Sequence, residues 1–390
     1  MSAYVYLCTK LIQRKMKHQR SRLYSAVSQR IAMAAVAILL MVGVLTGCSG
    51  EDYEKAPEGR AMYFWRTTLK LDSAERKFLT DNSITRLYLR FFDVVNDAER
   101  GPVPNATLMF PEDTDQTLIP KGIECIPVVF VLPECLKGKT APEELAALIV
   151  KRVADMCQTH DLPAPREVQI DCDWTMSTRD RFYKLMETVT SEAHSRNMAA
   201  SVTVRLHQLS DEPPVADYGT LMVYNTGSLS SPDKGNPILS ASAIEPFLKF
   251  VGRYKLPLVA AYPVFSWNVL YSAPSTAENN ANGASQFMGI LYGCKPEDAP
   301  EIFRKTGPDE WTAVASERFT TALGNEESVL RVVPGMVLRH FSSPPLPELL
   351  KIKKALAAEQ PNINQCVILY DLNSQNLETY KGHYEEIFAN

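Results

Sequence analysis

Acidic and basic side chains stand in pairs at the ends of apolar segments of this sequence. The segment Gln169–Trp174 carries Asp171 and Asp173, two residues apart, so on an extended strand both carboxylates would lie on one face. Arg205 and His207 repeat this spacing after the next apolar run. Carboxylates at such a place can bind hydroxyl groups or act as general acids and bases, and the basic pair could contact the same ligand.

Other acidic, amide and aromatic residues follow further apolar segments. They are Asp93, Trp174, Tyr224, Asn225, Tyr262, Phe265, Trp267, Tyr370 and Asp371. Aromatic rings stack on the C–H faces of sugars, while acids and amides bind sugar hydroxyls, so this set suits a carbohydrate ligand. No spacing typical of a metal site is present, and we expect neither a metal nor a cofactor.

The same residues also have structural explanations. Arg205 and His207 could form ion pairs with the acids, and the aromatic residues could pack in a core. Among the aromatic residues, we expect Trp174 to be the most exposed.

The elements that must position these residues alternate between short apolar runs and amphipathic stretches. This order predicts an α/β fold, a (β/α)₈ barrel over residues 61–390, in which functional residues gather at the carboxyl ends of the strands. An α+β insertion is expected at about 272–345, between strands seven and eight. The predicted strands are Met62–Trp65, Arg86–Asp93, Glu124–Val131, Glu167–Asp173, Ala200–Leu206, Tyr218–Asn225, Leu256–Phe265 and Gln365–Leu372. The predicted helices are Ser73–Thr80, Pro142–Cys157, Thr178–Asn197, Ser240–Tyr254 and Leu346–Glu359.

The amino terminus has the pattern of a secretory signal. A basic stretch without acids is followed by the apolar run Ile31–Val44, which is shorter than the roughly 20 residues of a membrane-spanning helix. The run ends in Leu45-Thr46-Gly47-Cys48, which resembles the lipobox of bacterial lipoproteins. Residues 1–47 are therefore interpreted as a signal peptide, Cys48 as the lipidation site and 48–60 as a tether.

The charge of the chain bears on its partners and location. Residues 1–47 hold seven basic and no acidic residues, so their removal lowers the net charge from −4 to −11. Such an acidic protein is unsuited to nucleic acid. The acidic stretch Ser49–Glu54 resembles the surface-targeting tag of some Bacteroidetes lipoproteins, and we expect an outer-membrane lipoprotein facing the periplasm or the cell exterior.

Together these segments resemble the chitinase-like glycoside hydrolases of family 18. Their fourth strand ends in Asp-x-x-Asp-x-Asp-x-Glu, and Val168–Thr175 matches only its two inner acids, at Asp171 and Asp173. Their sixth strand carries Met-x-Tyr-Asp, matched by Met222–Asn225 with Asn in place of Asp. The stretch Pro263–Trp267 is similar to their seventh strand, and Tyr370-Asp371 could replace the aromatic residue and acid of their eighth.

The resemblance implies roles for three residues and exposes a gap. In the family, a Glu protonates the glycosidic oxygen while the substrate's N-acetyl group attacks the anomeric carbon. The matches imply catalytic-site roles for Asp171, Asp173 and Tyr224, the last two holding that N-acetyl group. Thr175 occupies the position of the acid, and a hydroxyl is too weak an acid to replace a carboxyl group.

Three functions therefore remain open. The first is a non-catalytic envelope lipoprotein that binds N-acetylglucosamine-containing glycans. The second is an active glycoside hydrolase whose acid lies elsewhere, for example at Asp171 or Asp93. The third is an envelope scaffold for a protein partner, which would show no affinity for sugars.

Overall fold

The structure, a computed structural model, describes residues 56–111, 118–230, 235–273, 285–323 and 326–389. The interpreted signal peptide, Cys48 and most of the tether lie outside these residues. In the part of the chain that is described, no helix has the length and apolarity needed to cross a membrane.

Eight parallel strands form the centre of the fold. The first strands in chain order are β1 (Gly59–Phe64), β2 (Arg86–Asp97), β3 (Gly101–Asn105), β4 (Glu124–Val131), β5 (Glu167–Asp171), β6 (Ala199–Val204), β7 (Tyr218–Met222) and β8 (Leu258–Pro263), and the last is β16 (Cys366–Tyr370). The pairing order is β1-β16-β8-β7-β6-β5-β4-β2, and β1 also pairs with β2, which closes the ring. β3 pairs only with β2, antiparallel. The predicted (β/α)₈ barrel and its eight strands are confirmed.

Helices follow most of the barrel strands. They are α1 (Ser73–Asp81), α2 (Pro142–Thr159), α3 (Arg179–His194), α4 (Ala241–Val251), α5 (Leu346–Glu359) and α6 (Tyr384–Phe388). Helices were predicted between most of the strands but not between the fifth and the sixth, and the β6–β7 connection contains the 3₁₀ turn Leu206–Ser210 and no α-helix. Pro213 and Pro214 follow it, and prolines, which lack an N–H donor, do not continue a helix. Pro102 and Pro104 likewise lie in the β2–β4 connection, whose described residues form β3 and extended chain.

A second, antiparallel sheet lies between β8 and α5 in the chain. Its strands are β9 (Ser266–Tyr271), β10 (Phe287–Ile290), β11 (Phe303–Gly307), β12 (Glu310–Ala313) and β15 (Val337–Ser342), in the order β10-β9-β15-β12-β11, beside the hairpin β13 (Glu317–Leu323) and β14 (Glu326–Val332). The insertion expected at about 272–345 thus begins by Ser266. Its described residues are strands and a 3₁₀ turn at Pro296–Asp298, where a mixture of α and β structure was expected.

Polar side chains fill much of the barrel interior. Gln169 on β5 accepts a hydrogen bond from the hydroxyl of Tyr63 on β1, and donates to Ser201 on β6 and Thr220 on β7. These contacts between separate strands fix which residues point inward. Every second residue of a regular strand then does the same; β2 departs from this alternation at a register shift between Arg90 and Phe92.

A buried ion pair lies nearer the amino ends of the strands. Glu167 accepts from Arg86 Nη1 at 2.8 Å and from Ser201 Oγ at 2.5 Å, and the Tyr218 hydroxyl donates to it as well. Burial raises the pKa of Glu167 in spite of these donors. Arg86 also contacts Glu124 at 2.9 Å. Five strands, β2, β4, β5, β6 and β7, are joined through this network.

Replacing Glu167 with Ala should lower the free energy of unfolding by about 3–5 kcal/mol, because Arg86 would lose its buried partner. Urea unfolding of the two proteins measures the difference. Glu385→Ala is the matched control, since Glu385 also pairs with an arginine, Arg60, but is 71% exposed; it should change stability little. Equal losses in the two variants would contradict this account of the interior.

Candidate functional site

An ion pair between neighbouring strands lies at the carboxyl end of the barrel. Asp171, the last residue of β5, is buried and accepts hydrogen bonds from Thr203 Oγ1 at 2.6 Å and Arg205 Nη2 at 2.8 Å. Thr203 points inward from β6, and Arg205, the residue directly after β6, points inward as well. The barrel mouth, defined as the space bounded by the inward residues at the carboxyl ends of the strands, is thus closed below by a paired acid and base.

A second ion pair forms within β2. Arg90 Nε donates to Asp93 at 2.8 Å, and Arg90 Nη2 donates to the other carboxylate oxygen. The Arg90 guanidinium also lies 5.5 Å from the centre of the Trp65 ring, within the range of cation–π attraction. Asp93 was predicted at this end of the barrel, and the structure shows how its charge is balanced.

Four aromatic rings lie beside these pairs and are called the mouth cluster: Trp65, Tyr224, Phe265 and Tyr370. Tyr370 stacks on Tyr224 at 4.9 Å and contacts the edges of Phe265 and Trp65 at 5.7 and 5.8 Å. Burial raises the pKa of both tyrosines well above 10, so their hydroxyls stay protonated and can donate hydrogen bonds.

Asp371 differs from the other acids of this region. It follows Tyr370, and Asn376 Nδ2 donates to its carboxylate at 2.5 Å. Burial raises the pKa of Asp371 to about 6, although Arg66 and the bond from Asn376 act in the opposite direction. A carboxyl group in this range can exchange its proton near neutral pH.

Asp173 lies at the rim rather than in the interior. β5 ends at Asp171, and the Asp173 side chain is 55% exposed, with its carboxylate 3.4 Å from His207 Nε2. Burial alone would lower the pKa of Arg205, but Asp171, Tyr224 and Asp173 raise it overall. Both predicted acids therefore act on one guanidinium, although only Asp171 is buried.

Two aromatic residues do not lie where the sequence placed them. Trp174 is only 3% exposed and packs against Phe182 and Tyr183 of α3 at 6.1 and 5.6 Å. The expectation that Trp174 is the most exposed ring is wrong. Its ring points away from the barrel interior and is covered by α3. Tyr262 also points away from the mouth, and its hydroxyl donates to Asn364 at 2.7 Å. Its neighbours on β8 take the inward positions.

Three further predicted residues surround the mouth cluster or its rim. Trp267 on β9 is partly buried, with its ring 5.0 Å from Phe265. Asn225 is exposed just after Tyr224 and has φ 56°, a left-handed conformation that Asn tolerates. Thr175 is exposed, and its hydroxyl lies 3.0 Å from Ser177 Oγ.

Sequence reasoning missed Trp65, Arg90 and Thr203. Trp65 falls two residues after the inward Tyr63, so strand parity could have identified it. Arg90 could have been found as a charged residue within the apolar run of β2, since unpaired buried arginines are rare. Nothing in the sequence around Thr203 distinguishes it from an ordinary strand residue.

No cluster of three or more His, Cys, Asp or Glu side chains that could hold a metal ion is found within the described ranges. The groups that are present at the mouth suit hydrogen bonding and ring stacking. Such a mixture of aromatic walls and a few fixed polar groups is typical of small-molecule sites.

No protein-family model matches the sequence, and no curated protein is similar to it. Solved structures with a similar course of the chain include the spore cortex-lytic enzyme SleL of Bacillus megaterium (10% identity, TM-score 0.46, 82% of this chain and 72% of that chain). Others are a chitinase from Chromobacterium violaceum (11%, 0.45, 83% and 98%) and the C-terminal domain of a putative chitinase from Desulfitobacterium hafniense (13%, 0.47, 86% and 100%).

Replacing Asp371 with Asn should stabilise the protein at pH 8 by about 1–2 kcal/mol and have little effect at pH 4. The raised pKa means that the folded protein holds this proton more tightly than the unfolded chain. The associated stability is present at low pH and is lost as the pH rises through about 6. Urea unfolding at both pH values measures the change. Asp81→Asn, at an exposed carboxylate beside Lys77, is the control, and an equal gain at pH 4 and pH 8 would contradict the assignment.

Proposed function

We propose that this protein is a cell-envelope lipoprotein whose barrel mouth binds N-acetylglucosamine-containing glycans and does not cleave them. The observation that carries the proposal is the mouth cluster beside the Asp171–Arg205 and Arg90–Asp93 pairs. It combines apolar rings with fixed hydrogen-bonding groups in one place, as a sugar ligand requires.

The rings supply the apolar part of this recognition. Trp65, Tyr224, Phe265 and Tyr370 come from the ends of different strands and touch one another edge to face or in stacks. Mutual packing holds each ring in place before a ligand arrives, so little conformational entropy is lost on binding. Partly buried Trp267 extends this surface toward the second sheet.

The charges favour binding over hydrolysis. Asp171 and Asp93 each accept hydrogen bonds from an arginine, so both serve as acceptors rather than as proton donors. Thr175, at the position that the family resemblance assigns to the acid, is an exposed residue whose hydroxyl contacts Ser177. Asp171 and Asp93, the two acids suggested as replacements for the missing Glu, are both engaged in ion pairs.

The proposed location rests on the amino-terminal sequence. The basic stretch, the apolar run and Leu45-Thr46-Gly47-Cys48 together support export and lipidation at Cys48. A lipid on Cys48 would hold the barrel at a membrane surface through the tether, in the outer membrane on its periplasmic or external side. Such a position would give the mouth access to envelope or extracellular glycans.

Asp371 favours a second candidate function, a glycoside hydrolase with a relocated acid. Its carboxyl group adjoins Tyr370 of the mouth cluster, and burial raises its pKa to about 6, as a general acid requires. In this alternative Asp371 would protonate the leaving oxygen, and Asp371→Asn would abolish turnover.

Calorimetric titration with chitotetraose tests binding. Tyr370→Ala should weaken it at least tenfold, or about 1.4 kcal/mol, since Tyr370 contacts the other three rings of the cluster. Tyr183→Leu is the control, because Tyr183 lies on α3, beside Trp174 on the outside of the barrel, and should leave affinity unchanged. Absence of binding by the wild-type protein would refute the proposal and favour a scaffold for a protein partner.

Incubating the protein with chitin oligosaccharides and N-linked glycopeptides, and analysing the sugars by mass spectrometry, distinguishes the two candidate functions. The proposed binder leaves every oligosaccharide intact. Shortened products that disappear in Asp371→Asn would instead establish the hydrolase.

A further inference from the structure

One N–H donor of Arg205 has no hydrogen-bond partner in the part of the chain that the structure describes. Arg205 Nη2 donates to Asp171 at 2.8 Å, and the backbone N–H of Arg205 donates to Gln208 at 2.8 Å. Arg205 Nη1 is buried and makes no hydrogen bond to any described residue. A buried N–H without a partner costs about 1–3 kcal/mol, so such an atom in a native protein calls for a water molecule or a ligand.

The hydroxyl of Tyr224 is a second underused donor on the same side of the mouth. Among the described residues it donates one hydrogen bond, to Met222 Sδ at 3.0 Å, and a thioether is a weak acceptor. Tyr224 follows β7, the strand beside β6. The positive charge of Arg205 lowers the pKa of Tyr224, and Tyr224 in turn raises the pKa of Arg205. Two underused donors thus lie at the ends of neighbouring strands.

The surrounding charges decide which acceptor fits. Asp171 balances Arg205, and Asp93 balances Arg90. Asp173 at the rim and Asp371 beside Tyr370 add negative charge. Arg66 also acts on Asp371, but Arg66 is itself paired with Glu75 at 2.7 Å, and exposed His207 offsets one negative charge when it is protonated. A ligand carboxylate would therefore meet net repulsion, whereas an uncharged oxygen would be accepted.

We infer that Arg205 is a specificity-determining residue that donates from Nη1 to an uncharged oxygen of the bound sugar, making the mouth selective for neutral over acidic oligosaccharides. The inference rests on the proposed glycan binding and narrows its ligand class. The acceptor is a hydroxyl or an amide carbonyl, and Tyr224 Oη completes its coordination. Arg205 acts in recognition, and no bond is made or broken by it.

Titrations of the full chain with chitotetraose, cellotetraose and tetragalacturonate test the inference. The wild-type protein should bind at least one neutral tetrasaccharide ten times more tightly than tetragalacturonate. Binding of chitotetraose alone among the neutral pair assigns the acceptor as the amide carbonyl, whereas equal binding of both assigns it as a hydroxyl.

Arg205→Lys should weaken binding of the neutral sugar at least tenfold, because one ammonium group can stay with Asp171 but cannot supply the second, fixed donor. Arg152→Lys is the control, since Arg152 is a partly buried arginine outside the barrel that contacts Thr107 and Phe92. Thermal unfolding of each variant identifies any loss of folding. The double variant Arg205→Met/Asp171→Asn, which leaves no buried charge unpaired, should show the same loss of affinity.

Three outcomes would count against the inference. Equal affinity for tetragalacturonate and the neutral sugars, or undiminished binding by folded Arg205→Lys, would overturn it while leaving glycan binding in place. Failure of the wild-type protein to bind any of the three sugars would overturn the proposed function itself.

Discussion

Charged side chains inside a closed barrel must be paired, and this constraint organises the protein from one end to the other. Near the amino ends of the strands, Arg86 joins Glu167 and Glu124. At the carboxyl ends, Asp171 meets Arg205, and Arg90 meets Asp93. Removing one member of a buried pair leaves an uncompensated charge, which is far more costly than losing a surface pair. The pairs that join different strands, Arg86 with Glu167 and Glu124 and Asp171 with Arg205, therefore also fix where those strands can lie.

The pairing has a chemical consequence at the mouth. Acids that serve to neutralise arginines are fixed as hydrogen-bond acceptors, and the arginines in turn are held in place. Arg205 Nη1 has no hydrogen-bond partner among the described residues. Around them, rings from different strand ends pack together and present apolar surface. This combination of packed rings and fixed polar groups is the basis of the proposed sugar binding. Asp371 belongs to neither pair and has a raised pKa, so the alternative hydrolase function would depend on this acid.

The sequence predicted the eight barrel strands because each is a short apolar run between amphipathic stretches. It also located Asp171, Tyr224 and Tyr370 at the mouth, since these residues stand where the runs end. It failed where the parity of a strand decides the direction of a side chain. Tyr262 and Pro263 are neighbours, and only the pairing with β7 and β16 shows that Tyr262 faces outward. A shift of one residue reverses every side chain. Trp174 was misplaced because it follows the strand, where packing against α3 rather than strand geometry sets its direction.

A crystal structure of the protein with chitotetraose tests the central claim most directly. The account predicts an intact tetrasaccharide in the barrel mouth, with one sugar ring against Tyr370 and an uncharged oxygen within hydrogen-bond distance of Arg205 Nη1. A sugar bound elsewhere on the protein, or a mouth that contains only shortened products, would contradict it.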